Sequence, residues 1–336
     1  MLFSQTVGWG MRRREFFGVV GGAAAWPLAA SAQQLAVPIV GFLSSRSARD
    51  SSKLIVAFSK GLAEFGFSEG KTVSIKYSFA EGDLDKLPDM AADLVRQGVS
   101  VLVAVGGSNS AIAAKRASST IPIVFVIGGD PVKLGLAASL SRPSGNATGM
   151  TISSGDLASK RLGLLRELVP NAKSLAGLTN PDTPEGRGQS SDMLNAALSL
   201  GLKLRLLEAS DERAIESAFA ALSATKFDAL MVGSDPVFDV HRDKLIALVA
   251  AAGIPAIWQF RDYAVAGGLM SYDPDIQDAY HQAGVYAGRV LKGVPPTELP
   301  IHQPTKFKLV INLKTAKVLG LAVPATMLAQ ADELIE

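Results

Sequence analysis

The sequence predicts an α/β protein of two similar lobes, each built on a parallel β-sheet. Short apolar runs typical of buried strands alternate with runs typical of helices, which is the pattern of a sheet covered on both faces. The alternation restarts halfway along the chain, and Ile121-Pro122-Ile123-Val124 has a counterpart in Ile254-Pro255-Ala256-Ile257. Each of these segments follows a helical run and opens the fourth strand of its half. The 336 residues suffice for one large domain or two of ordinary size.

In the first half, we expect strands and helices in regular alternation. Gly66 and Gly98 follow the first two helical runs, where glycine commonly ends a helix. The segment 142–149 is rich in turn-forming residues and is the expected hinge between the lobes. The predicted elements are, in order, a strand at 38–43, a helix at 51–65, a strand at 72–79, a helix at 84–97, a strand at 99–105, a helix at 109–118, a strand at 121–127 and a short helix at 132–140.

The second half repeats this rhythm and then adds a tail. Pro170 and Gly201 stop its first two helices. Because the elements of the tail must return to lobes already built, the chain is expected to cross between the lobes more than once. The predicted elements are a helix at 157–168, a strand at 174–179, a helix at 190–200, a strand at 202–207, a helix at 212–223, a strand at 229–232, a helix at 242–252, a strand at 254–260, a helix at 276–291, a strand at 307–313 and a helix at 315–319.

Residues 11–32 have the composition of an export signal. Three consecutive arginines precede a short apolar run at 16–30, and Ala30-Ser31-Ala32 supplies the small residues that signal peptidase requires. The apolar run is shorter than the roughly 20 residues that a membrane-spanning helix needs. We therefore expect cleavage near Ala32 and a protein that diffuses freely in the periplasm. Twin-arginine and general secretory export are both open, as is Met11 as the true start.

Charge and cysteine content exclude several classes of protein. The chain has 33 Lys and Arg against 31 Asp and Glu, and removing residues 1–32, which hold three Arg and one Glu, leaves 30 of each. A net charge of zero gives no electrostatic attraction to nucleic acid or anionic lipid, so no nucleic-acid partner is predicted. The sequence has no cysteine, which excludes disulfides, thiolate metal sites, a cysteine nucleophile and a lipid-modified cysteine anchor.

No catalytic motif has the spacing that its chemistry requires. Gly70-Lys71-Thr72 resembles the end of a phosphate-binding loop, but Phe65 stands where that loop needs a glycine, and the tripeptide precedes a strand. His241, His281 and His302 lack the spacing of metal ligands. The G-x-S-x-G nucleophile elbow is missing as well. The sequence therefore predicts no catalytic residue, no metal and no cofactor.

Polar residues recur directly after the strands of both halves. In open α/β sheets, ligands bind beyond the carboxyl ends of the strands, where helix N-termini offer free N–H groups to a carboxylate. An aspartate there suits an ammonium group, and a tyrosine can stack on a ring. Each residue taken singly is also an ordinary helix cap, and only the recurrence favours a binding site. The candidate ligand-binding residues are Ser44, Ser45, Ser108, Asn109, Asp130, Thr179, Asn180, Asp235, Ser271 and Tyr272.

A set of segments between about residue 37 and residue 336 carries a family resemblance. They include GLAEFGFSEG at 61–70, SRPSGNATG at 141–149, GGLMSY at 267–272, LKGVPPTELP at 291–300 and INLKTAKVLG at 311–320. These segments resemble the exported substrate-binding proteins of a bacterial ABC-transporter family, which includes the tryptophan-binding TrpX-like proteins. The resemblance implies a type I periplasmic binding fold, with two Rossmann-like lobes, parallel sheets, several hinge crossovers and a ligand held in the cleft between the lobes.

The same resemblance implies a division of the chain. A signal peptide at 1–32 would precede an N-terminal lobe at 36–148, which is completed by about 275–297. A C-terminal lobe at 149–274 would be completed by part of 298–336.

Ligand and partners are also implied by the resemblance. Members with known ligands take aromatic or apolar amino acids, so the expected ligand is an amino acid or a related carboxylate. The Asp130-Pro131 turn, the helix start at Ser108-Asn109 and the Ser271-Tyr272 pair would face the cleft. The expected partners are the ligand and the permease subunits of an ABC importer in the inner membrane, and the protein would be a monomer. An exported Rossmann-like enzyme and a ligand-sensing module for a membrane receptor stay open as alternatives.

Overall fold

Two β-sheets organise the part of the chain that the structure describes, which is residues 37–152 and 157–336 of this computed structural model. Residues 38–336 form one compact unit. The export signal predicted at 1–32 lies outside the described residues. Within the described ranges, no helix has the length and apolar character needed to cross a membrane.

The first sheet has five parallel strands in the order β2-β1-β3-β4-β5. Its inner strands are almost wholly apolar because helices cover both faces of the sheet. The strands are β1 (Ile39–Ser44), β2 (Ser74–Phe79), β3 (Val101–Val105), β4 (Ile123–Ile127) and β5 (Ala147–Thr151). The helices of this part of the chain are α1 (Ala48–Ala63), α2 (Leu87–Arg96) and α3 (Ser108–Ala117), with a 3₁₀ turn at Leu84–Lys86.

The second sheet begins with the same strand order. Its first five strands run β7-β6-β8-β9-β10, which confirms the duplicated architecture, and an antiparallel β11 and a short β12 extend it. The strands are β6 (Ser174–Thr179), β7 (Lys203–Glu208), β8 (Ala229–Val232), β9 (Ala256–Trp258), β10 (Met270–Pro274), β11 (Phe307–Asn312) and β12 (Glu333–Ile335). The helices are α4 (Leu157–Leu168), α5 (Pro184–Ser199), α6 (Glu212–Ala224), α7 (Pro236–Val240), α8 (Arg242–Ala252), α9 (Arg261–Val265), α10 (Ile276–Leu291), α11 (Leu313–Val318) and α12 (Ala325–Gln330), with a 3₁₀ turn at Pro296–Glu298.

Helix α10 follows the second sheet in sequence but packs on the first. Its residues Tyr280 and Ala283 belong to the same apolar cluster as Phe42 of β1 and Phe58 of α1. The chain then returns to the second sheet as β11, so it crosses between the sheets more than once, as the sequence predicts. We call the first sheet with α1, α2, α3, α10 and the two 3₁₀ turns the first lobe, since the turn at Pro296–Glu298 packs on β5. The other described elements from α4 onwards form the second lobe. The residue boundaries predicted for the two lobes stay a prediction.

Two sequence expectations around the end of the first sheet are wrong. The helix expected at 132–140 is replaced by turns, because Pro131 opens a single turn and Gly135 adopts φ +70°, which breaks any helix. The segment 142–149 is not a free hinge, since its last three residues already belong to β5, which pairs with β4 along its whole length. The turn-forming composition of 142–149 correctly indicates the loop before β5, but it does not indicate β5 itself.

Candidate functional site

The carboxyl ends of strands from both sheets meet in one cleft. Arg46 and Gly107, which follow β1 and β3, lie on the same cavity as Glu185 and Pro236, which follow β6 and β8. In the first sheet, β1 and β3 are neighbours, and the chain continues from β1 to β2 on one side and from β3 to β4 on the other. In the second sheet, β6 and β8 are neighbours in the same way, and β7 and β9 follow them on opposite sides. Such switch points are where open α/β sheets bind their ligands. The cleft therefore combines the switch points of both lobes.

Two small adjoining cavities lie at these strand ends, and a third cavity of about 270 Å³ opens beside them between the same two lobes. The larger of the two small cavities has a volume of about 50 Å³ and is walled by apolar side chains of the second lobe, among them Met193 and Met231. The smaller has a volume of about 30 Å³ and contains the charged groups of Arg46, Glu185 and Asp239. We call them the apolar cavity and the polar cavity. The residues that line both are Gly128, Ile152, Ser234 and Phe260.

Arg161 of α4 places a positive charge on the wall of the apolar cavity. Its Nε donates to the Tyr272 carbonyl at 2.8 Å, and its Nη2 donates to the Gln259 carbonyl at 3.2 Å. Burial lowers the pKa of Arg161 to about 10, an effect that the nearby Asp273 carboxylate opposes. The guanidinium is thus charged at neutral pH and can bind an anionic or hydrogen-bond-accepting group.

Gln189 and Asp192 of α5 complete the polar part of that wall. Partial burial raises the pKa of Asp192, and Lys133 opposes the shift. The Gln189 amide is held by the backbone of Ser234, to which it donates at 2.9 Å and from which it accepts at 2.6 Å. The Asp192 carboxylate and the Arg161 guanidinium thus provide charges of both signs on this wall, which suits a ligand that carries both an ammonium and a carboxylate group.

A buried ion pair crosses the cleft. Arg46 Nη2 of the first lobe lies 2.7 Å from Asp239 Oδ2 of α7, and the Tyr263 hydroxyl donates to Asp239 Oδ1 at 3.0 Å. The Arg46 guanidinium also lies 5.4 Å from the ring centre of Phe260, within range of a cation–π contact. Burial raises the pKa of Asp239, and Arg46 opposes that shift. These contacts join the two lobes on the side of the polar cavity.

A second contact across the cleft involves the N-terminus of α3. Ser108, the first residue of α3, donates its backbone N–H to Glu185 Oε1 of the second lobe. Glu185 sits in the first turn of α5, whose N-cap is Thr183, with its hydroxyl accepting from Gly186 N at 3.1 Å. A carboxylate is favourable at a helix N-terminus because free N–H groups and the helix dipole both attract negative charge.

The predicted site residues of the first lobe support the turns that form the polar cavity. Ser44 Oγ accepts from Arg46 N at 3.1 Å, and Ser45 Oγ donates to the Gly106 carbonyl at 2.8 Å. Ser108 donates to Glu185, as described above, whereas its neighbour Asn109 lies on an outer groove. Asp130 is exposed and accepts from the backbone of the turn that follows it.

The predicted site residues of the second lobe bind mainly to one another and to their own backbone. Asp235 accepts from Asn180 Nδ2 at 3.1 Å and from the Thr183 hydroxyl at 2.9 Å, and burial raises its pKa to about 6. Thr179 pairs with the hydroxyl of Ser190 at 2.9 Å.

Ser271 and Tyr272 lie in β10, away from the polar cavity. Ser271 is buried, and the Tyr272 ring stacks on Phe307 with 5.7 Å between ring centres. Among the residues that the structure describes, none of the ten predicted residues lines either cavity, although several lie directly behind the walls. Their role as ligand contacts stays a prediction.

Sequence reasoning missed the residues that do line the cavities, chiefly Arg46, Arg161, Glu185 and Phe260. Arg46 and Glu185 come within a few residues of predicted positions after β1 and β6, so the strand-end rule pointed to the right turns. Arg161 carried its own signal, because it interrupts the apolar stripe of α4 formed by Leu162 and its neighbours. Across the described ranges, no group of three or more His, Cys, Asp and Glu side chains could hold a metal ion.

Comparison with known proteins places this cleft in context. The family model for ABC transporter substrate binding proteins matches residues 37–335. A tyrosine-binding protein from Clostridioides difficile is 27% identical over 267 residues, which is 79% of this chain and 75% of that protein. The structure of an ABC domain in complex with L-Trp from Streptococcus pneumonia superposes with a TM-score of 0.82 at 25% identity, covering 89% of this chain and 99% of that chain.

A conserved domain protein from Vibrio cholerae is equally similar. Its crystal structure superposes with a TM-score of 0.83 at 26% identity, again over 89% of this chain and 99% of that chain. The two mostly parallel sheets with repeated strand order are those of the type I periplasmic binding fold. The match of the family model over most of the sequence shows that this chain belongs to the ABC transporter substrate-binding protein family.

Proposed function

We propose that this protein is the exported receptor of an ABC importer, and that it binds an aromatic amino acid or a related carboxylate in the cleft. It would act as a monomer and deliver the ligand unchanged to permease subunits in the inner membrane. The family assignment and the two relatives whose names specify tyrosine and L-Trp support the ligand class. The export signal predicted from the sequence supports the location.

One observation carries this proposal: the switch points of both sheets converge on a cleft with one apolar wall and charges of both signs. Met193, Met231 and Phe260 offer an apolar surface for a ring. Arg161 offers a cation, and Asp192 offers an anion, at the edge of the same cavity. An amino acid with a large apolar side chain satisfies all three kinds of contact. Of the ten residues predicted from sequence, Ser108 is the one that we retain as a ligand contact.

Binding in the apolar and polar cavities would require movement of the lobes. A buried water molecule occupies about 10–15 Å³ on the scale used for these cavities, so cavities of about 50 and 30 Å³ hold only a few waters. An aromatic amino acid is far larger. The lobes would separate to admit it and close around it, and the closed state would be stabilised by contacts that the ligand makes with both lobes.

Isothermal titration calorimetry with the mature chain tests the ligand class. We expect one-to-one binding of at least one of L-tryptophan, L-tyrosine and L-phenylalanine, and no heat with glucose. Replacing Phe260 by Ala should weaken that binding at least tenfold, because the residue lines both cavities. Phe67→Ala is the matched control, since Phe67 packs at the edge of the first lobe, under Lys292. Absence of binding by every aromatic amino acid would overturn the proposed ligand class.

Fractionation of cells that express the full chain tests the proposed location. A shortened protein in the periplasmic fraction is expected. Full-length protein confined to the cytoplasm would contradict the receptor role, because a cytoplasmic protein cannot present ligand to the outer side of an importer.

A further inference from the structure

The N-terminus of α3 lacks a capping side chain from its own lobe. Its N-cap residue is Gly107, which has no side chain to accept a hydrogen bond. The N–H of Ser108 instead donates to Glu185, a residue 77 positions later in the chain and on the opposite lobe. Most helices are capped by a residue directly before them. Here the cap depends on the cleft being closed.

The surroundings of this contact are built for a close approach. A Cβ atom at Gly128 would lie 3.2 Å from Glu185 Cγ, and one at Gly107 would lie 3.3 Å from Pro236 Cγ. Gly107 also has φ +145°, which other residues rarely adopt. Glu185 is 9% exposed, so its charge is almost fully buried when it contacts α3. Glycine at these two positions lets the carboxylate reach across.

A second polar group at the same point, the Ser108 hydroxyl, is unpaired within the described part of the chain. Ser108 is fully buried, and its hydroxyl contacts no hydrogen-bonding atom among the residues that the structure describes. This oxygen would lie 2.8 Å from a Cβ atom at Gly129, next to the Gly128 wall that both cavities share. A backbone N–H together with an unused hydroxyl is a donor pair suited to a carboxylate with two oxygens.

We infer that Glu185 is a tethered carboxylate that occupies the ligand's carboxylate position at the N-terminus of α3 and latches the two lobes together. A ligand carboxylate must displace Glu185 before it can bind Ser108. The residue thereby sets both the affinity and the class of ligand, because only an anion gains enough from that position to replace it. This inference rests on the function proposed above, in that it assigns a regulatory role to a residue of the same cleft.

The latch lowers the measured affinity for a ligand, because only the open fraction of the protein can bind it. If most of the ligand-free protein is latched, the measured affinity is the intrinsic affinity reduced by the fraction that is open. A hydrogen bond to a charged group is strong enough that its loss changes such an equilibrium about tenfold or more. Removing the charge of Glu185 should therefore open the empty protein and tighten the binding of a carboxylate ligand.

A distance measurement tests the latch without any ligand. Because the chain has no cysteine, two introduced cysteines can be spin-labelled specifically, one at exposed Asp89 of α2 and one at exposed Arg213 of α6. Pulsed electron resonance should give one short distance in the parent protein and longer distances in Glu185→Gln. The matched control is Glu81→Gln, because Glu81 accepts from Ala48 N at the start of α1 at 3.2 Å within a single lobe. Equal distances in Glu185→Gln and in the parent would overturn the latch.

Calorimetry with L-tryptophan and L-tyrosine, and with their carboxamides, tests the competition. Glu185→Gln should bind the amino acids about tenfold more tightly than the parent or Glu81→Gln. The carboxamides also gain from the opened cleft, but by a smaller factor, because they carry no negative charge for the Glu185 carboxylate to repel. Equal gains for acids and carboxamides would refute competition at the carboxylate position. If neither amino acid binds to any variant, the proposed ligand class fails, whereas the distance measurement still decides whether Glu185 is a latch.

Discussion

At the scale of single residues, small side chains decide how closely the lobes approach. Gly128 lies in the wall of both cavities and directly faces Glu185 Cγ. Its φ is not in the left-handed region, so the backbone would accept alanine, and only the contact with Glu185 opposes it. Alanine there would force a side chain or a lobe to shift.

We predict that Gly128→Ala lowers the free energy of unfolding by about 1 kcal/mol, the lower end of the cost of overpacking. Gly163→Ala in α4 is the control, because a Cβ atom there meets no described atom within 4 Å. Since alanine favours a helix over glycine, this control should gain about 0.5–1 kcal/mol. Urea unfolding of both variants gives the comparison, and equal changes in the two would contradict the tight contact.

The buried carboxyl of Asp273 should make the free energy of unfolding depend on pH. Its carboxylate accepts from Arg261 N at 2.8 Å, and burial raises its pKa to about 7. Because the native state then holds the proton more tightly than the unfolded state does, this group contributes most to stability below about pH 4, and that contribution is lost as pH rises to 7.

Between pH 4 and pH 7, the unfolding free energy of Asp273→Asn should therefore decrease by about 1–3 kcal/mol less than that of the parent protein. Urea unfolding at a series of pH values measures this slope. Asp278→Asn, at an exposed position of α10, controls for the loss of one formal charge. A slope unchanged in Asp273→Asn would show that burial does not shift the pKa of this carboxyl.

Residue-level prediction from sequence reached the turns at the cleft but not the side chains that line its apolar and polar cavities. The sequence predicts that Asp235 meets a ligand ammonium group, whereas its carboxylate accepts hydrogen bonds from Asn180 and Thr183 of its own lobe. Glu185 lies in the adjacent helix start and reaches the other lobe instead. Local patterns identify strand ends, whereas the direction of each side chain depends on contacts between residues far apart in sequence.

At the scale of elements, the return of α10 to the first lobe is the decisive packing event. Gly61 of α1 and Gly284 of α10 face the partner helix, and Cβ atoms there would lie 2.0 Å from the carbonyl oxygens of His281 and Phe58 respectively. Two helices can approach this closely only where glycine leaves room for the backbone. Gly61 and Gly284 thus allow α10 to pack closely on α1, which holds this returning part of the chain on the first lobe.

Gly284→Ala should destabilise the protein by at least about 3 kcal/mol, because the clash is with backbone and cannot be relieved by turning a side chain. Thermal unfolding followed by circular dichroism measures the effect, with Gly163→Ala again as the control. Native-like stability of Gly284→Ala would mean that α10 does not pack on α1 as described.

The sequence predicted α10 at its observed bounds, because a long amphipathic pattern with clear ends is a strong signal. It missed β12 and the strand β5, which are three and five residues long and carry too few positions for a periodicity to show. The partner of α10 could be stated only in general terms, since periodicity identifies an apolar face and not the surface that covers it.

At the scale of the whole molecule, closure rests on a few contacts between two lobes of repeated strand order. The pair of Arg46 and Asp239 is almost fully buried, so breaking it in the closed state leaves a charge without a partner or water. In an open state, water would hydrate that charge. Loss of one partner should therefore favour opening.

Asp239→Asn should increase the radius of gyration of the ligand-free protein in small-angle X-ray scattering. The control is Glu333→Gln, which removes a 2.6 Å ion pair with Arg261 that is exposed and lies within the second lobe. The control should leave the radius unchanged. An identical radius in parent and Asp239→Asn would contradict a closed state held by this pair.

Hydrogen–deuterium exchange with and without saturating L-tryptophan or L-tyrosine shows directly whether ligand binds where the strand ends of both lobes meet. We expect slower exchange in the turns after β1, β3, β6 and β8, and no change at the edge strand β12. Protection confined to other surfaces, or no protection with either amino acid, would contradict this expectation.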